Sequence, residues 1–245
     1  MNSKGQTESF SWSECAGRLS VLSGEYDLAL EPEGKFFVAQ GIRVIPPPVF
    51  PLPAELLLSV RDPQTAQETA ARRLLKEKFA SDASTGDLER YLQFLPEEPG
   101  LQCLILLQAG AVSVGMFEGG AVLAHKTMKR YVVRGKGRAQ PTYLAAKGKS
   151  RYGSRLRLQN ARLLFEMTNE KLANYWDEYG EPEHIFINAP RRLWADMFRS
   201  KIPPPFSSEH PIIRVPKDLP VPKTEVLLRT YKGLCYGRIE RDFTR

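Results

Sequence analysis

The stretch that most constrains the fold is a nearly continuous apolar run, Leu101–Leu107. Such a run is typical of a central strand that is buried on both faces of a sheet. Two more strand patterns follow at once, Ala111–Phe117 and Ala121–Val133, and the turn residues Glu118–Gly120 separate them. Three strands joined by such short connections predict an antiparallel meander.

The chain then alternates between helix and strand patterns. Ser154 is expected to cap a long helix with an apolar stripe that runs to about Tyr179. The alternation predicts an α/β fold for a domain covering residues 99–245, with a mixed β-sheet, flanking helices and a ribonuclease-H-like arrangement. The later elements expected are a strand at His184–Asn188, a short helix at Arg191–Arg199, a strand at Ile212–Val215, a helix at Thr224–Lys232 and a last strand at Leu234–Ile239.

The N-terminal region, residues 1–98, is expected to be a smaller α+β unit. Residues 1–20 are polar and are expected to lack regular structure. Prolines fill five of the eight positions 46–53, so this segment is expected to be an extended strap. The elements expected around it are short strands at Tyr26–Leu30 and Phe36–Val44, a helix from Asp62 to about Phe79 and a second helix over about Gly86–Leu95.

Positive charge is concentrated in one stretch of the chain. Residues 121–165 contain twelve Lys and Arg and no Asp or Glu, whereas the whole chain has 35 basic and 28 acidic residues. Without these twelve, 23 basic residues would face 28 acidic ones, a net charge of −5. A local positive field of this kind favours a polyanionic partner. The twelve are Lys126, Lys129, Arg130, Arg134, Lys136, Arg138, Lys147, Lys149, Arg151, Arg155, Arg157 and Arg162.

Several functional classes are disfavoured by what the sequence lacks. No run approaches 18 apolar residues, so neither a membrane span nor a membrane partner is expected. Cys15, Cys103 and Cys235 are far apart and odd in number, which argues against a disulfide framework and favours the cytoplasm. Three dispersed histidines and no acidic cluster argue against a metal site, including that of a two-metal nuclease. No cofactor is expected, and we expect a monomer.

A set of short motifs lies within the acid-free stretch. His125-Lys126-Thr127 is followed by Arg130-Tyr131 and by a Gly-rich basic loop, Arg134–Gln140. In order and nearly in spacing, these motifs resemble those of the Vms-like release factor (VLRF) family over about residues 101–240. That family comprises ribosome-quality-control proteins related to the middle domain of eukaryotic-type class I release factors. The other matching motifs are Lys147-Gly148-Lys149, Gly153-Ser154, Leu156-Arg157 and Asn160.

The resemblance implies hydrolysis of the ester that joins a nascent peptide to tRNA on a stalled large ribosomal subunit. It makes Gln140 the counterpart of the family's catalytic glutamine, with Gly135, Gly137 and Ala139 supporting the loop. Ala139 stands where release factors have a second glycine, and Pro141 follows the glutamine. The partners it implies are the large ribosomal subunit, its ribosomal RNA and the acceptor end of peptidyl-tRNA.

The chemistry of a glutamine suits this role. A carboxamide has no useful pKa and cannot be a general base, but it can orient a water molecule or stabilise an oxyanion. Glycines at 135 and 137 would let a narrow loop pass between RNA strands without Cβ clashes. Phosphates of the bound RNA would be held by Lys126, Arg130, Arg134, Lys136, Arg138, Lys147, Lys149, Arg151, Arg155 and Arg157.

Two other functions stay open: a metal-independent ribonuclease that cuts near the tRNA 3′ end, and a non-catalytic ribosome- or tRNA-binding factor. His125 could be a general base, but strand packing or a phosphate contact explains it more simply. Ser150 and Ser154 have no evident His and Asp partners, which argues against a serine hydrolase.

Overall fold

A computed structural model describes residues 6–31, 34–53, 56, 86–132, 150–207, 210, 212–216 and 218–243, with the backbone only for 150–154 and 242–243. The chain divides into two compact units, Met1–Pro99 with Lys232–Arg245, and Gly100–Tyr231. The helix expected from Asp62 to Phe79 lies outside the described residues. The strands are β1 (Thr7–Ser11), β2 (Ala29–Leu30), β3 (Phe37–Ala39), β4 (Gly41–Ile45), β5 (Gln102–Gln108), β6 (Ala111–Glu118), β7 (Ala121–Lys129), β8 (His184–Asn188), β9 (Ile212–Arg214) and β10 (Tyr236–Phe243). The helices are α1 (Cys15–Glu25), α2 (Asp87–Phe94), α3 (Ser150–Tyr179), α4 (Arg191–Phe198) and α5 (Thr224–Leu234), with a 3-10 turn at Trp12–Glu14.

The first unit contains an antiparallel sheet in the order β1-β10-β4-β3-β2. Helix α2 is amphipathic and buries Leu88 and Tyr91. The Tyr91 hydroxyl donates a hydrogen bond to the Phe50 carbonyl at 2.8 Å, so it satisfies its polar group while its ring stays in the core. The predicted helix over about Gly86–Leu95 is therefore confirmed.

The expectation that residues 1–20 lack regular structure is wrong for the part of that segment which the structure describes, residues 6–20. The segment within residues 1–20 is structured: β1 pairs with β10, and α1 begins at Cys15. Cys15, Leu19 and Leu22 are buried at helical spacing. These three side chains hold α1 in place although the sequence around them is mostly polar.

Two predicted strands differ from the structure. The stretch Phe36–Val44 forms a hairpin, β3 and β4, because Gly41 takes a φ of +77° that other residues rarely adopt. Of Tyr26–Leu30 only the two residues of β2 are extended into a strand, since Tyr26 closes α1 by donating its backbone N–H to the Leu22 carbonyl.

The second unit contains a mixed sheet in the order β7-β6-β5-β8-β9. β5, β6 and β7 form the expected antiparallel meander, whereas β8 runs parallel to β5 and β9 runs parallel to β8. Meander strands on one side and crossover strands on the other give the ribonuclease-H-like order. The predicted α/β fold with a mixed sheet and flanking helices is therefore confirmed.

Helices cover both faces of this sheet. One face buries Cys103, Ile105 and Val114 together with Leu164 and Leu172 of α3 and Trp194 and Met197 of α4. On the other face α5 packs closely: the rings of Phe117 and Tyr231 stack with their centroids 3.7 Å apart. Gly115 permits this approach, because a Cβ there would lie 2.8 Å from the Phe117 ring and 3.0 Å from Leu227.

Two boundaries in the second half differ from the sequence prediction. α3 begins at Ser150 and not at Ser154. The last strand, β10, was assigned to the domain 99–245, yet it lies between β1 and β4 in the sheet of the first unit. The strands that pair with β10 are about 200 residues away in sequence, and no local sequence pattern predicts such a distant pairing.

None of the described helices is both long and apolar enough to cross a membrane. None of the three cysteines is in a disulfide, and all three are buried.

Candidate nucleic-acid interface

The second sheet has one edge at which β5, β7 and β8 all end. Lys129 pairs with Ala111, Ala111 pairs with Gln108, and Asn188 pairs with Leu106, two residues short of Gln108. We call this end of the sheet, marked by Gln108, Lys129 and Asn188, the C-terminal edge. In open α/β sheets, ligands bind outside the carboxyl ends of the strands.

The segment with the predicted catalytic residue joins β7, which ends at this edge, to the start of α3 at Ser150. Its own residues from 133 to 149 lie outside the described part of the chain, and for Arg151 only the backbone is described. The predicted site residues concerned are Arg134, Gly135, Lys136, Gly137, Arg138, Ala139, Gln140, Lys147 and Lys149.

The chain is fixed just before this segment begins. The Arg130 backbone N–H donates to the Gly110 carbonyl at 2.9 Å. Gly110 has a φ of +83°, and a Cβ there would lie 2.7 Å from the Arg130 carbonyl oxygen. A glycine at 110 is therefore needed both for the tight β5–β6 turn and for the close passage of the chain that leaves β7.

Side chains of α3 also contact the chain just after β7. The Asn160 side-chain amide donates to the Tyr131 carbonyl at 2.8 Å, and the Arg130 guanidinium lies 3.2 Å from the Met167 sulfur. Asn160 and Met167 are seven residues apart and so lie on one stripe of the helix. That stripe runs alongside the end of β7, which sets the direction in which the chain enters residues 133–149.

α3 extends well past the C-terminal edge. Ten residues precede Asn160 in the helix, which corresponds to about 15 Å at 1.5 Å per residue. From Arg155 to Leu163 no residue is buried, and Leu164 is the first core residue of the helix. Leu158 is 55% exposed and Leu156 is 37% exposed. The start of α3 is therefore a projection with basic and apolar side chains accessible.

Lys126 and His125 of β7 lie on opposite faces of the sheet. Lys126 is opposite Val114, so it lies on the face that α3 covers, and it is exposed. His125 is opposite Gly115 on the α5 face and is also exposed, which excludes the interpretation of His125 as a packed core residue. Thr127, the residue after Lys126, is fixed by its hydroxyl, 2.8 Å from that of Ser113 and 3.2 Å from that of Thr224.

The arginines of α3 do not form a single face. Arg155 and Arg157 are two residues apart and so point about 160° away from each other around the helix axis. Arg157 is half-buried on the stripe that continues into Leu164, whereas Arg155 and Arg162 are exposed on the opposite side. With the helix beginning at Ser150, Arg162 lies in the fourth turn, where the helix dipole has little effect.

Sequence reasoning quoted Asn160 and Thr127 as motif residues but could not find their partners, and it missed Gly110 and Thr224. Asn160 does carry a signal, since Asn is a poor residue for a helix interior unless its amide has a specific partner. Gly110 resembles any turn glycine in sequence. The hydroxyl pairing joins residues 14 and 97 positions apart, beyond the reach of any local pattern.

The clearly shifted pKa values belong to groups in the core or away from this edge. Burial raises the pKa of Cys15 to about 12 in the first unit and that of Tyr175 to about 12 in α3. Burial lowers the pKa of His184 at the start of β8, and the nearby Glu183 carboxylate partly opposes that shift. Across the described ranges no group of three His, Cys, Asp or Glu side chains could hold a metal ion.

The comparisons with known proteins follow the same lines. No curated protein matches the chain. A solved structure described as "Vms1 mitochondrial localization core" is similar at 13% identity and a TM-score of 0.44, over 82% of this chain and 74% of that one. Residues 102–242 match the model of a family described as the Bacteroidetes VLRF1 release factor. This match covers more than half of the chain and confirms the predicted resemblance, so the protein belongs to the Bacteroidetes VLRF1 release factor family.

Proposed function

We propose that the protein is a ribosome-associated peptidyl-tRNA hydrolase of the release-factor type. It would free nascent chains from stalled large ribosomal subunits by hydrolysing the ester that joins the peptide to tRNA. Its partners would be the large subunit, ribosomal RNA and the tRNA acceptor end, and it would act as a cytoplasmic monomer without a cofactor. Membership of a release factor family supports this proposal.

The observation that carries the proposal is where the chain is described on either side of residues 133–149, at the end of β7 and the start of α3. The segment leaves from a point fixed by Gly110 and Asn160 and returns into a helix that projects about 15 Å past the sheet. Residues 121–165 contain no carboxylate to repel RNA phosphates. A segment that leaves from a fixed point and leads into an exposed helix start with basic side chains suits delivery of one side chain into a narrow RNA-lined site.

Within this segment, Gln140 would position the attacking water and stabilise the oxyanion as the ester carbonyl is attacked. Its amide offers two donors and one acceptor and stays uncharged at every working pH. Loss of a single group that stabilises an oxyanion costs about 100- to 1,000-fold in rate in other acyl-transfer enzymes. Gly135, Gly137 and Ala139 would shape the backbone around it.

The surrounding cations would bind the RNA that surrounds the ester. Lys126 and Arg130 at β7 and Arg155 and Arg157 at the start of α3 are described, and they contribute on different sides of the projection. A helix inserted into a cleft would have RNA on two sides. Cations on opposite faces of the helix could then each contact RNA phosphates. The remaining contacts would come from Arg134, Lys136, Arg138, Lys147, Lys149 and Arg151.

The test uses purified large ribosomal subunits that carry a labelled nascent chain on tRNA. The expected result with the intact protein is release of the peptide and recovery of full-length tRNA that can be charged again. Gln140→Ala should bind the subunits but release peptide far more slowly. Gln93→Ala, which changes an exposed glutamine on α2, is the matched control and should release at the parent rate.

The same assay separates the two other functions. A tRNA shortened at its 3′ end would identify the protein as a ribonuclease, and an unaltered peptidyl-tRNA would identify it as a binding factor. Either result contradicts the proposed hydrolysis.

A further inference from the structure

We propose that Arg191 and Arg192, at the start of α4, form a second site for RNA phosphates on the C-terminal edge, separate from residues 121–165. The proposal rests on the proposed function for the class of partner, RNA. It adds a contact region that begins at Arg191, 26 residues after Phe165, the last residue of the acid-free stretch.

The strand registers place these two arginines at the same edge as the end of β7. Asn188 ends β8 two residues short of the level of Gln108, and Ala189 and Pro190 carry the chain on to Arg191. Three strand spacings separate β7 from β8, which corresponds to about 14 Å. Arg130 and Arg191 therefore lie on one end of the unit, at a separation that a single RNA segment can span.

No contact among the described residues explains why these two positions are arginine. Both side chains are exposed, and within the described ranges neither forms an ion pair. Cations at the start of a helix oppose its dipole, and α4 has no acidic residue in its first turn to compensate. Two adjacent arginines in this position cost helix stability, which is understandable where an anion approaches.

Positive charge predominates at Arg191 and Arg192; Asp196, one turn beyond Arg192, lies 3.8 Å from the Arg199 guanidinium. No Asp or Glu occurs from His184 to Ala195, so this segment repeats the acid-free character of residues 121–165. Asp218 and Glu225 lie on the other side of the sheet, because the Gln108 amide, which points to the α5 face, donates to the Leu219 carbonyl at 2.7 Å. The first turn of α4 at this edge therefore carries positive charge and no carboxylate.

Guanidinium groups favour phosphate as their partner. They donate in a planar fork that fits phosphate oxygens and shed their hydration more readily than lysine ammonium groups. Contacts of this kind position RNA without reading its sequence. The second site would therefore orient the protein on RNA and would not take part in ester hydrolysis.

The test compares two double variants of the full chain. Arg191→Gln with Arg192→Gln removes the proposed site. Arg199→Gln with Lys201→Gln removes two exposed cations beyond the other end of α4. That end lies about 13 Å along α3 from the level of Asn160, because the Met197 carbonyl accepts a hydrogen bond from Asn169, nine residues further along the helix.

The probe is fluorescently labelled deacylated tRNA, with affinity measured from about 50 to about 200 mM salt. The Arg191/Arg192 variant should lower the slope of log affinity against log salt by about 2, roughly one per lost phosphate contact. The Arg199/Lys201 variant should keep the parent slope. An unchanged slope for the first variant, or an equal loss in both, would overturn the proposal.

This outcome is independent of the proposed function. Deacylated tRNA carries no peptide ester, so a failure of Gln140→Ala to slow peptide release would leave the slope measurement intact. Conversely, an unchanged slope would remove the second site and leave hydrolysis by residues 133–149 standing.

Discussion

Individual small residues decide how closely the layers of the second unit approach. At Gly115 a Cβ would come within 2.8 Å of the Phe117 ring and 3.0 Å of Leu227, so a methyl group there must displace packed side chains. At Gly17 in α1 nothing lies within 4 Å of the added Cβ. The same substitution should therefore have opposite effects at the two positions.

Gly115→Ala should destabilise the protein by about 1–3 kcal/mol, the usual cost of overpacking a core. Gly17→Ala should stabilise it by up to about 1 kcal/mol, because alanine is a better helix former. Urea unfolding followed by circular dichroism measures both. Equal shifts of the same sign would mean that Gly115 is not a packing requirement.

Helices and strands in the second half could be predicted because the spacing of their apolar residues shows which face is buried. The run from Leu101, the alternation in β6 and the aromatic stripe of α3 each carry a local period. β1 was missed because Phe10 is its only buried residue. The partner of β10 and the hydrogen bond from Asn160 to Tyr131 depend on residues distant in sequence, and no periodicity encodes them.

The joint between β7 and α3 depends on Asn160, the side chain that connects the two elements. Asn160→Ala removes its hydrogen bond to the Tyr131 carbonyl, so the chain entering residues 133–149 loses one of its two fixed contacts. Because the bond is exposed, the free energy of unfolding should change by no more than about 1 kcal/mol. Peptide release should fall on the order of 10-fold, since small displacements of a catalytic group are costly.

The neighbouring substitution Gln159→Ala controls for a change in α3 itself, because Gln159 is exposed. Single-turnover release by both variants, with unfolding curves in parallel, measures the difference. A parent rate for Asn160→Ala would show that this contact does not position the segment.

The last strand of the chain pairs with strands from its beginning. β10 lies between β1 and β4, and β1 has no other strand partner among the described residues. Truncation after Cys235 should therefore abolish the slow amide exchange of β1 and weaken that of β4, because their ladder hydrogen bonds are lost. The amides of β5 and β6 should keep their protection.

Hydrogen exchange read by mass spectrometry resolves the two sheets separately. Slow exchange of β1 in the truncated chain would mean that the first sheet does not need β10. Loss of protection in both sheets at once would mean that the two units do not fold as separate bodies.

The proposed hydrolysis is tested most directly by the single-turnover rate of peptide release from saturated, stalled large subunits. Gln140→Ala should lower this rate by about 100-fold or more, while its affinity for the subunits stays that of the parent. A variant that binds normally and releases peptide at the parent rate would contradict hydrolysis through Gln140.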